Sequence, residues 1–153
     1  MDRTGIDKYI AVYKRAVLAD PGNNEVTTAL GMCYLKLGLY DYAQKFFGKA
    51  IEQMVDVSDV YFYGAISLLK GKRPFVATLP VIRRAEELLE AAASLNPTDG
   101  KIYYTHAVIK QDYYHKKFIN TSPSSNELFQ QAAQTVISDE DIDIIERYMS
   151  VRV

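Results

Sequence analysis

The sequence predicts an all-α solenoid of stacked antiparallel helix pairs. Three observations carry that prediction: an internal echo at fixed spacing, prolines in phase with the echo, and small residues recurring where helices must meet. Tyr9, Tyr13 and Ala16 return 34 residues later as Ala43, Phe47 and Ala50, and after a further 42 as Ala85, Leu89 and Ala92. Thr27, Tyr61 and Tyr103 keep the same two steps, as do Gly31, Ala65 and Ala107. Pro21 and Pro97 span both steps together. Self-similarity at a fixed period of roughly 20–50 residues marks repeat architectures. The unit is 34 residues, and its next copy carries an insertion of eight.

The elements follow in order. Residues 6–19 read as the second helix (B) of a pair, stopped by Asp20-Pro21-Gly22. No first helix (A) precedes it, so 6–21 is a half repeat, and the expectation is the C-terminal part of a longer protein. Residues 24–37 are an A helix ending near Gly38, and 40–54 its B partner, so 24–57 is a repeat. Ser58 is the expected N-cap of the next A helix, 59–70. The insertion near 71–80 contains Pro74 and Pro80, which bar a plain helix interior. Helix B of that repeat, 81–95, stops at Asn96-Pro97, closing the unit 58–99. Thr98 and Asp99 offer caps for a long A helix, 100–118, and after Asn120–Ser124 a helix at 125–136 completes a divergent repeat, 100–137. Ser138 and Asp141 begin a capping box with acids in the first turn. The helix that follows, 139–150 within a capping unit 138–150, points Ile142, Ile145 and Met149 inward as a terminal lid.

The stretch Leu30-Gly31-Met32-Cys33-Tyr34, followed by Ala43, Phe47 and Ala50, resembles the tetratricopeptide repeat. Thr27 stands where that family often has Trp, and Val55 where it often has Pro. Tyr61, Gly64, Ala65, Leu68, Ala85, Leu89, Ala92 and Pro97 repeat the likeness. It covers about residues 8–118. The resemblance implies a right-handed α-solenoid, about three repeats plus a C-terminal capping helix, in one domain over 1–153.

Composition narrows the function. With 153 residues, 48% hydrophobic and 24% charged, the chain suits one globular domain. A net charge of −1 gives no basic footprint for nucleic acid. No apolar run approaches the ~20 residues that span a bilayer, and Asp2, Arg3 and Asp7 interrupt any leader-like stretch. Cys33 is the single cysteine, so neither an internal disulfide nor a cysteine zinc site is available. The expectation is a cytoplasmic protein without membrane insertion. Twelve tyrosines with no Trp point to phenol rings packed between helices, or presented on a binding surface.

No residue set suggests catalysis, a cofactor or a metal. His106 and His115 are nine apart on one helix, off face from each other; His106 falls on the register of Leu30 and Gly64, a packing position. His115 is placed to meet Asp112 as a local surface pair. Cys33 reads as a small buried filler. Lys70, Lys72, Arg73, Arg83 and Arg84 flank the insertion and read as a solvated face, with an anionic partner as the alternative.

In tetratricopeptide-like stacks the A helices line a concave groove along which partners lie. By that resemblance the groove residues are Glu25, Thr28, Met32, Leu35 and Lys36 in the first A helix. The second adds Asp59, Phe62, Tyr63, Ile66 and Lys70, and the third Lys101, Tyr104, Thr105, Val108, Gln111 and Asp112. Aromatic and methionine side chains outside the core are what interfaces enrich. Thr28, Met32 and Tyr63 do not match the Lys/Asn/Arg clamp that captures acidic chaperone tails. The function expected is a non-enzymatic interaction module, a scaffold or adaptor for a protein or peptide ligand. The alternatives are a small chaperone for a secreted or assembly client, and a homo-oligomer formed through the exposed first helix at Ile10, Tyr13 and Val17.

Overall fold

The computed structural model describes residues 3–151. Met1, Asp2, Arg152 and Val153, which the sequence reading includes in the domain, lie outside the described residues. The α-helices are α1 (Arg3–Ala19), α2 (Asn24–Lys36), α3 (Tyr40–Glu52), α4 (Ser58–Leu68), α5 (Leu79–Leu95), α6 (Gly100–Ile109), α7 (Ser125–Ala133) and α8 (Asp139–Met149). The one β feature among the described residues is an isolated bridge between Asp99 and Val136.

Local chemistry explains the helix ends. The Asn23 side chain accepts from the Val26 amide at 3.3 Å, and Gly38, at φ +73, ends α2 in the left-handed region that glycine tolerates. Asp99 caps α6 through the Lys101 amide at 3.3 Å. Ser138 and Asp141 form the expected capping box. Ser124 and Glu127 form a second one, unforeseen, at the start of α7. Ser58 corrects an expectation. It is the first helical residue, and its hydroxyl donates to the Ala92 carbonyl at 2.9 Å, tying α4 to α5.

Helices α2/α3, α4/α5 and α6/α7 pair, and α1 and α3 pack on the helices that follow them. Phe47 is fully buried, and its ring lies 3.1 Å from where a Cβ on Gly31 would stand, so only a small residue admits it. Leu89, Ala43, Ala50, Ala85, Ala92, Ala65 and Ala107 are buried too, at the register positions of the echo. Two tyrosines repeat one hydrogen bond. Tyr61 donates to the Val55 carbonyl at 3.0 Å and Tyr103 to that of Pro97 at 2.7 Å, each six residues back.

The long third A helix is not uniform. After Ile109 it widens into a π turn over Lys110–Tyr114, then tightens to a 3-10 turn over His115–Lys117. The altered register turns Lys110, Asp112 and Tyr114 inward, and all three are buried. Glu86 of α5 accepts from the Tyr114 hydroxyl at 2.6 Å, meets His106 Nε2 at 2.6 Å and pairs with Lys110 at 3.0 Å. Burial alone would raise the Glu86 carboxyl, but these bonds outweigh it and hold it at about 2. Thus His106 is buried at its packing position, with a carboxylate partner.

Asp112 anchors the insertion. It accepts from Arg73 Nη2 at 2.5 Å, the Phe75 amide at 2.8 Å and Lys116 at 3.0 Å. Against the penalty of burial these bonds lower its carboxyl. The expected His115–Asp112 pair is therefore replaced, and His115 is exposed. Arg73 belongs to this pair, with its side chain still 42% exposed. Burial raises the Cys33 thiol, which is half-buried.

Candidate binding groove

The A helices α2, α4 and α6 place equivalent side chains side by side. One register position holds Thr28, Phe62 and Tyr104; another, four residues on, holds Met32, Ile66 and Val108. On a free concave wall each set would be equally open. Thr28 and Met32 are half-buried, whereas Phe62 is 2%, Ile66 1%, Val108 1% and Tyr104 9% exposed. The second and third pairs are therefore covered where the first is not.

Helix α8 is the cover. Ile145 and Met149 are buried in the same hydrophobic cluster as Phe62, Ile66, Tyr104 and Val108. Glu146 accepts from the Tyr104 hydroxyl at 3.1 Å. Ser150 donates to the Gly71 carbonyl at 2.5 Å, beyond the far end of α4. Burial raises the Tyr63 hydroxyl, and Asp59 raises it further, with smaller contributions from Tyr148 and Asp141 of α8. Burial, then Glu146, pushes Tyr104 up to about 12. An acceptor carboxylate on a buried phenol keeps the phenol neutral and donating.

The remaining groove residues sit as follows. Tyr63 and Gln111 are half-buried, and Lys36 and Lys70 are exposed. Lys70 pairs with Asp41 at 3.1 Å. Lys101 pairs with Asp59 at 2.9 Å and with Asp99, and stands 5.1 Å from the Phe62 ring. Burial alone would lower its ammonium, but the two carboxylates raise it. Leu35 and Thr105 are buried within the stack, and Asp112 serves the insertion, so these three are not groove residues.

Along α2 the wall stays open. A recess of about 180 Å³ lies between α1 and α2, lined by Tyr9, Tyr13, Met32 and Lys36 among others. A second, about 350 Å³ and apolar, lies between α2 and α4 at Thr28, Val55, Val57 and Val60. The two meet at Ala29.

A structure of MamA superimposes with a TM-score of 0.69 at 19% identity, covering 97% of this chain and 81% of that one. A MamA fragment from Desulfovibrio magneticus RS-1 gives a TM-score of 0.67 at 14% identity, covering 86% and 66%. MamA is a tetratricopeptide-repeat protein. The fold is a tetratricopeptide-like α-solenoid. In sequence, the BBSome complex member BBS4 of Bos taurus is 26% identical over 183 residues, matching 93% of this chain and 34% of its own length. The chain thus spans about a third of that relative, which also contains tetratricopeptide repeats. No family model matches the chain.

Among the described residues, no group of three or more His, Cys, Asp or Glu is placed to hold a metal ion. No described helix is long and apolar enough to cross a membrane. Sequence reasoning missed that α8 lies on the wall rather than across the end of the stack. The available signal was the stripe Phe62, Ile66, Tyr104 and Val108, too apolar for open solvent, together with the amphipathic spacing of Ile145 and Met149.

Proposed function

We propose that the chain is a protein-interaction scaffold that holds a segment of a partner protein along its inner wall. The observation that carries this reading is the seating of α8: the wall receives an amphipathic helix through apolar side chains and a directed hydrogen bond. Helix-in-groove recognition uses the same elements. The likeness to tetratricopeptide proteins supports the reading. Thr28, Met32, Lys36, Tyr63, Lys70 and Gln111 are the proposed contact residues on the accessible wall, with Phe62, Ile66, Tyr104 and Val108 beneath α8.

The test is capture of a partner from the native source by the full chain. Met32→Glu is expected to abolish capture while circular dichroism still reports the helices, at some cost in stability because Met32 is half-buried. Lys49→Glu, on the exposed side of α3, is expected to leave capture intact. Equal capture by both variants contradicts the reading.

Self-association through α1 is a second reading with its own observation. Ile10, expected on an exposed face, is buried, and Tyr13 and Val17 are half-buried against the core; the open side of α1 is instead at Val12, which shares the register of the buried Phe46 and Leu88 yet is 57% exposed. Light scattering of the full chain decides it, since a monomer at high concentration removes it.

A further inference from the structure

We propose that the wall formed by α4 and α6 is a receiving site for an amphipathic helix, that α8 is its resident occupant, and that a partner engages the site with a helix of the same chemistry. This rests on the scaffold reading above and specifies its occupant.

Two features set α8 apart from the stack. First, α6 and α7 pack on each other as a pair, whereas the main neighbour of α8 is α6, two helices back. Second, its attachments come from one stripe of side chains. Ile145 and Met149 are four apart and therefore share a face. Glu146, next to Ile145, takes the Tyr104 hydroxyl, and Ser150, next to Met149, reaches the Gly71 carbonyl. In addition, Ser138 and Asp141 cap α8 from within, as Ser124 and Glu127 cap α7, so the helix brings its own start signal. An occupant with internal capping and a single docking stripe is replaceable by another helix that offers the same stripe.

The partner's chemistry follows from the site. Two aliphatic or methionine side chains four residues apart must fill the places of Ile145 and Met149 in the buried core that also holds Phe62, Ile66 and Val108. A carboxylate directly after the first is needed, because without it the Tyr104 hydroxyl loses its acceptor at a nearly buried position. A small hydroxyl after the second satisfies the Gly71 carbonyl. The resident helix has the advantage of tethering, which gives it a high effective concentration over any free helix.

The experiment uses the full chain and a fluorescent peptide of residues 137–151. Ile145→Asp combined with Met149→Asp is expected to free the wall. The peptide then binds this double variant, and binds the unaltered chain at least ~10-fold more weakly because the tethered helix competes. The same peptide carrying Glu146→Gln is expected to bind the double variant more weakly than the native peptide. Absence of binding to a double variant whose circular dichroism still reports the other helices overturns the proposal. Hydrogen exchange on the unaltered chain decides independently, should the double variant fail to fold. The α8 amides are expected to exchange well before those of α4 and α6, as a separate opening unit. Equal protection would make α8 part of the cooperative core and overturn the proposal. Neither measurement involves a partner, so a failure of the scaffold reading shows separately, as capture that ignores Met32→Glu.

Discussion

Glu146 accepts a hydrogen bond from the Tyr104 hydroxyl at 3.1 Å, joining the last helix to the inner wall of the third helix pair. Bonds to charged groups contribute about 1.5–3 kcal/mol. Tyr104→Phe removes this one and keeps the ring against Phe129, 5.5 Å between centroids. The α8 amides are expected to exchange about tenfold faster or more, with those of α2 unchanged. Hydrogen exchange read by mass spectrometry checks both halves.

Phe47 is the centre of the first pair. It is fully buried against Gly31, so Phe47→Ala is expected to cost ~3–5 kcal/mol. That is a large share of the ~5–15 kcal/mol typical of a domain. Leu18 is 83% exposed on α1, and Leu18→Ala is expected to change stability by less than about 0.5 kcal/mol. Urea denaturation of both variants provides the comparison.

The Glu86 carboxylate carries a pH dependence. Its folded value is about 2 against a reference of 4.5, so it is depressed. A depressed acid stabilises the fold above its unfolded value, and that stability is lost as pH falls through the folded value. The chain should lose stability progressively from about pH 5 down toward pH 2. Glu86→Gln should flatten that slope. At neutral pH it should also cost ~3–5 kcal/mol, because it leaves the buried Lys110 ammonium without its counter-charge. Thermal unfolding across the pH range measures both effects.

Asp112 is expected to act on the insertion rather than on the stack. Asp112→Asn weakens the bonds that hold Arg73 and Phe75. The segment around 71–78 should become sensitive to limited proteolysis while helix content is retained. Unchanged proteolysis would mean that Pro74, itself buried, holds the segment alone.

How much was legible in the sequence depends on the range of the cause. The helix pairs were legible because Gly31, Ala65 and Ala107 recur with Phe47 and Leu89 at fixed spacing, and packing at those places is local to each repeat. The caps at Asp99 and Ser138 were legible because a cap and its target lie within three residues. Ser58 misled because its hydroxyl found a carbonyl 34 residues away, on Ala92. The π turn was invisible, since nothing in the order Lys110 to Tyr114 announces a changed register. The partners of the side chains it turns inward, Glu86 and Arg73, lie on other elements. For the site, the register named the wall residues, but whether a wall residue is open depends on what covers it. Thr28 and Phe62 share a register position and differ in exposure, and Phe62 lies on the part of the wall toward α8.

The most direct test of the account is photo-crosslinking of a partner from defined positions on the full chain. A photoreactive residue at Met32, on the open wall, should crosslink the partner, and one at Tyr63, beside α8, should do so when α8 has moved aside. The same residue at Lys49, on the exposed side of α3, should give no crosslink. Crosslinks that form from Lys49 and never from Met32 would contradict the claim that the inner wall is the binding surface.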